Sequence, residues 1–309
     1  MNHERDNIPG NERVWEDICG LLRNTQGLSN YHELRHCDDI QEILQRWPLL
    51  DLKTEQQTRS ANLPATHKRP VNVTLVTGTA SGVGTTTVVA NLARALQQQG
   101  RKVMVADLSC RQDLHFHLGG ASAVPANDSD AGHRISLLSD PEDAGDVQDV
   151  PPAASPWLAD RLSTLPINVV DHLLIDCPWH AQVAFQQACA LAGRILLVTT
   201  AEQPITFHQI DLALAHVTSA SQPDTINTHL LINRFNFAVP LQRDIHTLLH
   251  SRPPIALAPA EIPHESRIAD SLARPRDIVS LVPGCAATHR FHLLGNWLID
   301  QATQQEKTV

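Results

Sequence analysis

From Val71 onward, short β-branched runs alternate with longer segments rich in Ala, Leu and Gln. That alternation is the signature of a parallel sheet covered by helices. Six runs read as strands: residues 72–77, 102–106, 133–138, 172–176, 194–199 and 228–232. Between them, 85–99, 181–192, 205–220 and 238–250 carry helical spacing. The expected fold is α/β, a mostly parallel sheet flanked by helices. It spans residues 71–300, with 301–309 as a polar tail. Residues 120–157 interrupt the pattern, are rich in Ala, Pro and Asp, and read as a mobile insertion around one short strand. No internal repeat is found.

Residues 1–52 have a different rhythm and read as a small helical region. "ERVWEDICGLLRN" sets Val14, Ile18, Leu21 and Leu22 at helical spacing beside Trp15. "CDDIQEILQRWPLLDLK" puts Ile40, Ile43, Leu44 and Trp47 on one face, with Asp38 or Asp39 as cap and Pro48 as stop. The stretch 53–70 has two prolines and no apolar period, and reads as a linker.

Composition narrows the function classes. Aromatic residues make up only 4% of the 309, so the core must rest on Leu, Val, Ile and Ala. A net charge of −9 argues against a nucleic-acid partner. None of the six cysteines forms a CxxC pair, which suits reduced thiols in a cytoplasmic protein. No apolar run reaches the roughly 18 residues of a membrane span, so no direct membrane insertion is expected. The polar start "MNHERDNIPG" is no signal peptide.

The stretch "VTLVTGTASGVGTTTVVANLARAL" carries the candidate chemistry. A phosphate loop works by converging backbone N–H groups on an anion where the chain enters a helix. Gly82 and Gly84 stand directly before the expected helix, and Thr86 stands where a P-loop hydroxyl ligates Mg²⁺. The pattern G-x-x-x-x-G-K-[ST] fails at two places: its first glycine falls on Thr79 and its lysine on Thr85. A phosphate cradle and a Gly-rich turn in a degenerate domain both remain open on the bare motif. "RKVMVADLS" and "DHLLIDCPWH" end in Asp107 and Asp176, carboxylates at the C-terminal ends of strands. Either alone could be a helix cap, but with the loop they compose an Mg-nucleotide site.

These residues resemble the deviant P-loop ATPases of the MinD/ParA type. That loop reads K-G-G-x-G-K-[ST]-[ST], and the matching stretch here is "ASGVGTTT", residues 80–87. Asp107, "IDCP", "LVTTAEQ", "LLINRF" and "EIPHESRIADSLARPRDIV" follow in the same order. The narrower resemblance is to the BcsQ family, encoded with bacterial cellulose synthase, through "GVGTTT", "LINRF" and "LLGNWLID". "DDIQEILQRWPLLDL" resembles BcsR, a short partner encoded beside it.

The resemblance implies ATP and Mg²⁺ as ligands. Ser81, Gly82, Val83, Gly84, Thr85, Thr86 and Thr87 would surround the phosphates. Thr86, Asp107 and Asp176 would hold Mg²⁺. Asn233 would meet the adenine edge, with Pro263 and His264 on adenine or ribose; plain turn and loop roles stay open for these three. The implied partners are a second copy of the chain, cellulose synthase complex subunits, and the chain's own N-terminal segment docking on the ATPase-like domain. Recruitment to the inner membrane would go through partners.

Three departures set the expected activity. The signature lysine is Ala80, the P-loop lysine is Thr85, and the second carboxylate of the D-x-D is Ser109. Charge stabilisation and water positioning are most of what such an enzyme supplies. Binding with slow or no hydrolysis is expected. An active positioning ATPase and a non-nucleotide interaction module are the competing readings.

Other features carry less. His32 and His36 stand four apart beside Cys37, without a third ligand. "HFH", 115–117, is assigned to packing after the second strand. The segment from Phe291 has an apolar face but only one lysine, which fits core packing better than a membrane helix.

Overall fold

The computed structural model describes residues 46, 72–109, 111–119, 135–138, 170–221, 227–251, 253–274 and 276–308. The expected N-terminal helices, the linker, and most of the 120–157 insertion lie outside these residues, as do Trp15, His32, His36, Cys37 and Trp47. Residues 44–309 form one compact unit.

Seven strands make one sheet: β1 Val73–Gly78, β2 Val103–Asp107, β3 Ser136–Leu138, β4 His172–Asp176, β5 Arg194–Thr200, β6 Asn227–Asn233 and β7 Ala256–Leu257. Their spatial order is β3-β2-β4-β1-β5-β6-β7. Every pairing is parallel, as the alternating pattern requires. The helices are α1 Thr85–Gln98, α2 Leu114–His117, α3 Gln182–Leu191, α4 Thr206–Ala220, α5 Pro240–Ser251, α6 Arg267–Leu272, α7 Ile278–Leu281 and α8 Ala286–Thr308.

The central strands are buried along their whole length, which is why they read as continuous apolar runs rather than alternating ones. One face packs Val76, Leu174 and Val198 under α1 and α8, through Val88, Leu92, Leu96, Phe291 and Leu294. The other packs Leu75, Ile175 and Ile195 under α3, through Phe185 and Ala188. The expected strands and the four expected helices form, the strand expected at 133–138 being seen at Ser136–Leu138.

Four short elements, β7, α2, α6 and α7, were not anticipated. Each has two to six residues, too few to show a period. The segment 301–308, expected as a polar tail, continues α8 to Thr308, and Ala302 within it is buried. Phe291, Leu294 and Leu298 are buried, as core packing of this segment requires. Among the described residues no helix is long and apolar enough to cross a membrane. Cys177, Cys189 and Cys285 are free and buried.

Candidate nucleotide site

The loop between β1 and α1 is held from below. Thr79 donates its N–H to Val198 C=O at 2.8 Å, and its hydroxyl donates to Thr199 Oγ1 at 3.0 Å. Gly82 and Gly84 have φ of +79° and +91°, left-handed values that favour glycine. Gly84 is the N-cap of α1 and has no side chain to cap it. The first α-helical bond runs from Val88 N–H to Gly84 C=O at 2.9 Å. The N–H groups of Thr85, Thr86 and Thr87 precede that bond and stay available to an anion, with the helix dipole behind them.

The loop opens into a cleft of about 270 Å³. Its lining comprises Gly78, Ala80, Ser81, Gly82, Gly84, Thr85, Thr86 and Thr87 of the loop and helix start, together with Ser109, His117, Asp176, Pro178, Trp179 and His180. Val83 belongs to the loop, but its side chain is buried in the core below.

Asp107 and Asp176 are register partners on adjacent strands, so both carboxyls emerge at the same edge. They are engaged differently. Asp107 Oδ1 accepts from Ser109 N–H at 3.0 Å and Ser109 Oγ–H at 2.6 Å; its Oδ2 accepts from Leu114 N–H at 3.0 Å. Asp107 therefore shapes the turn after β2. Asp176 Oδ2 is buried with no hydrogen-bond partner among the described residues. Burial pushes the Asp176 carboxyl up to about 7; its hydrogen bond with Thr86 opposes this and the nearby Asp107 charge adds to it.

An orphaned, buried carboxylate oxygen beside a threonine hydroxyl fits a small hard dication. Thr86 and Asp176 are the residues that would hold Mg²⁺. Asp107 stands behind them with its oxygens already bonded to the protein.

The residues expected to meet the base are held by contacts of their own. Asn233, buried at the end of β6, donates its Nδ2–H to Val83 C=O at 2.8 Å, and its Oδ1 accepts from Arg234 N–H at 2.9 Å. Its visible work is to grip the loop. Pro263 bridges Phe235, and His264 N–H donates to Phe235 C=O at 2.8 Å. Neither lines the cleft, and neither does Asn233.

Trp179, His180 and His117 also line the cleft, beyond the residues that the motifs point to. Trp179 stacks on His216 of α4, with centroids 4.3 Å apart. His117 belongs to the "HFH" run, for which packing is the sequence expectation. The available signal was its place shortly after Asp107, on the side of the site where a carboxylate is missing. Burial lowers the His117 pKa, opposed by the charges of Asp113 and Asp107.

Known proteins carry the same frame. The chain is 27% identical over 241 residues to the cellulose biosynthesis protein BcsQ of Escherichia coli K12, covering 72% of this chain and 92% of that one. The MinD cell division protein of Aquifex aeolicus superposes with a TM-score of 0.56 at 22% identity, covering 74% of this chain and 97% of that one. MinD of Pyrococcus horikoshii, complexed with Mg-ADP, gives 0.55 at 20% identity, covering 76% and 98%. At these identities the two structures share the fold. The family described as cellulose biosynthesis protein BcsQ matches residues 71–127 and 140–299, well over half of the sequence, and the chain belongs to that family.

Proposed function

We propose that the protein is a cytoplasmic, ATP-binding regulatory or scaffolding subunit of a cellulose synthase secretion complex, with slow or no hydrolysis. One observation carries the nucleotide reading: the uncapped N-terminus of α1 faces the orphaned Asp176 Oδ2 across Thr86. That arrangement pairs a place for phosphate with a place for its metal. Mg²⁺ bound there would neutralise charge on the terminal phosphates.

The slow-turnover reading follows from what the cleft lacks. Among the described residues no lysine or arginine lines it. Ser109 offers a hydroxyl already donated to Asp107 instead of a second carboxylate. The binding role can use backbone N–H groups and Mg²⁺, whereas rapid phosphoryl transfer needs charges that the described lining residues do not supply.

The family supports the assignment to cellulose biosynthesis, and the shared fold supports a homodimer formed around two nucleotides. Docking of the N-terminal segment (1–52) through the 53–70 linker onto the 71–300 domain is part of the same proposal. The Arg46–Asp244 ion pair, at 3.2 Å with Asp244 buried, supports contact between this segment and the domain. Recruitment to the inner membrane would then go through partner subunits.

The test is the nucleotide carried by freshly purified protein, released by denaturation and resolved by anion exchange. Near-stoichiometric ATP is expected. Mostly ADP would indicate an active ATPase. Protein that is empty and fails to bind millimolar Mg-ATP would leave an interaction module on the same fold.

A further inference from the structure

We propose that His117 reads the terminal phosphate of the bound nucleotide, donating a ring N–H to it, so that the protein distinguishes a nucleoside triphosphate from a diphosphate. The inference rests on the nucleotide reading above and assigns a specificity residue within it.

The cleft has two basic side chains among its lining residues, His117 and His180. His180 is exposed. His117 is half-buried, and its Nδ1 is sealed from solvent without a hydrogen-bond partner among the described residues. A buried polar atom left unpaired costs about 1–3 kcal/mol, so its retention in a ligand cleft points to the ligand.

Sheet order gives the position its meaning. The loop rises from β1. Asp176, on β4, is its neighbour on one side, and β2 lies just beyond. Asn233, on β6, stands on the opposite side past β5. A phosphate chain seated on the α1 N-terminus with its metal at Thr86 and Asp176 therefore extends toward the β2 side. Ser109 and His117 form the cleft wall there. Ser109 Oγ is committed to Asp107, which leaves the His117 ring as the uncommitted donor on that wall.

The short helix that carries the ring is also held at both ends. Leu114 N–H ties the start of α2 to Asp107 Oδ2 at 3.0 Å. Arg94 Nη2 donates to Leu118 C=O at 3.4 Å just after α2, while Arg94 Nε is fixed on Asp277 at 3.0 Å. The other ring of the run, His115, is paired locally with Gln112 C=O at 2.8 Å. Of the two histidines in "HFH", one is committed to its own turn and the other faces the cleft.

The test is isothermal calorimetry on the full chain with ATP and with ADP, both in excess MgCl₂. The variants are His117→Ala, His117→Asn and His117→Gln, and thermal unfolding confirms that each is folded. A hydrogen bond to a charged phosphate corresponds to roughly tenfold or more in affinity. The wild type should prefer ATP, and His117→Ala should lose about tenfold in that preference with ADP affinity unchanged. Recovery in His117→Asn would identify Nδ1 as the donor, and recovery in His117→Gln would identify Nε2. An unchanged ATP/ADP ratio in His117→Ala overturns the proposal, as does an equal loss for both nucleotides. A wild type that binds neither nucleotide overturns the nucleotide reading itself, and this inference falls with it.

Discussion

The side-chain amide of Asn233, at the end of β6, donates to the carbonyl of Val83, inside the loop after β1, at 2.8 Å. Two strands on either side of β5 are thus tied together at the phosphate loop. Asn233→Ala leaves that carbonyl unpaired and should cost about 1–3 kcal/mol of stability. It should also weaken ATP binding, because the cradle loses its brace. Gly84→Ala attacks the same contact from the other side. Its φ is +91°, and a Cβ there would come within 2.5 Å of Asn233 Nδ2. Left-handed strain of about 1–2 kcal/mol adds to the clash. Thermal unfolding and ATP calorimetry on both variants check this; wild-type values in either would show that the brace is dispensable.

Much of this frame was legible in the sequence because its signals are periodic or local. The strands "VTLVTG" and "RILLVTT" are continuous apolar runs, and each is buried from end to end. The loop announced itself through glycines at a strand-to-helix junction. Side chains that converge through sheet order were harder to read. His117 joins the cleft because β2 lies beside β4, which nothing in "HFH" encodes. The tie from Asn233 to the loop likewise follows from β6 lying past β5, which the run "LINRF" does not encode. The length of α8 was missed because its last turns are polar on most sides and lack an apolar period.

Asp176 and Thr86 should act as a metal pair. Asp176→Asn removes the anionic oxygen but keeps the volume, and relieves the cost of an unpaired buried carboxyl. The ligand-free variant should be as stable as wild type or more so at pH 8. It should lose the Mg²⁺ dependence of ATP binding, while metal-free binding through the backbone remains. Thr86→Val should weaken the Mg²⁺-dependent part alone. ATP titrations with MgCl₂ and with EDTA separate the two contributions. A full Mg²⁺ effect in both variants would place the metal elsewhere.

At the opposite end of the sheet, His172 gives the fold an acid sensitivity. It is buried at the start of β4, and burial lowers its pKa to about 4; Asp171 opposes the shift, while Arg101 and Arg194 reinforce it. The unfolded chain binds this proton near pH 6.5 and the native one does not until about 4. Stability should be complete above pH 6.5 and fall as the pH drops from 6.5 to 4. The shift corresponds to about 3 kcal/mol. His229 is lowered as well, by burial first and Arg194 second, and adds in the same direction. His172→Gln should therefore flatten part of the slope, as read by urea midpoints at pH 7.5, 6 and 5. An identical slope in the variant would assign the sensitivity to other groups.

The last expectation concerns turnover itself. Thr85 occupies the first turn of α1 and lines the cleft, so a lysine there projects among the phosphates. Its hydroxyl lies close over Gly78: a Cβ on that glycine would come within 2.7 Å of Thr85 Oγ1. Thr85→Lys vacates that contact and adds a positive charge beside the α1 N-terminus. Ala80→Lys adds a second charge at the cleft rim. One preorganised charge or donor is worth about 10²–10³ in rate when removed from an enzyme that has it. The double variant should hydrolyse ATP at least tenfold faster than wild type, with ATP affinity kept or raised. Adding Ser109→Asp should raise turnover again, since the hydroxyl now bound to Asp107 would become a carboxylate able to orient water. Phosphate release under saturating Mg-ATP measures all three proteins. Wild-type turnover already at 1–100 s⁻¹, the range of efficient phosphoryl-transfer enzymes, would show that the missing charges are supplied from another part of the assembly.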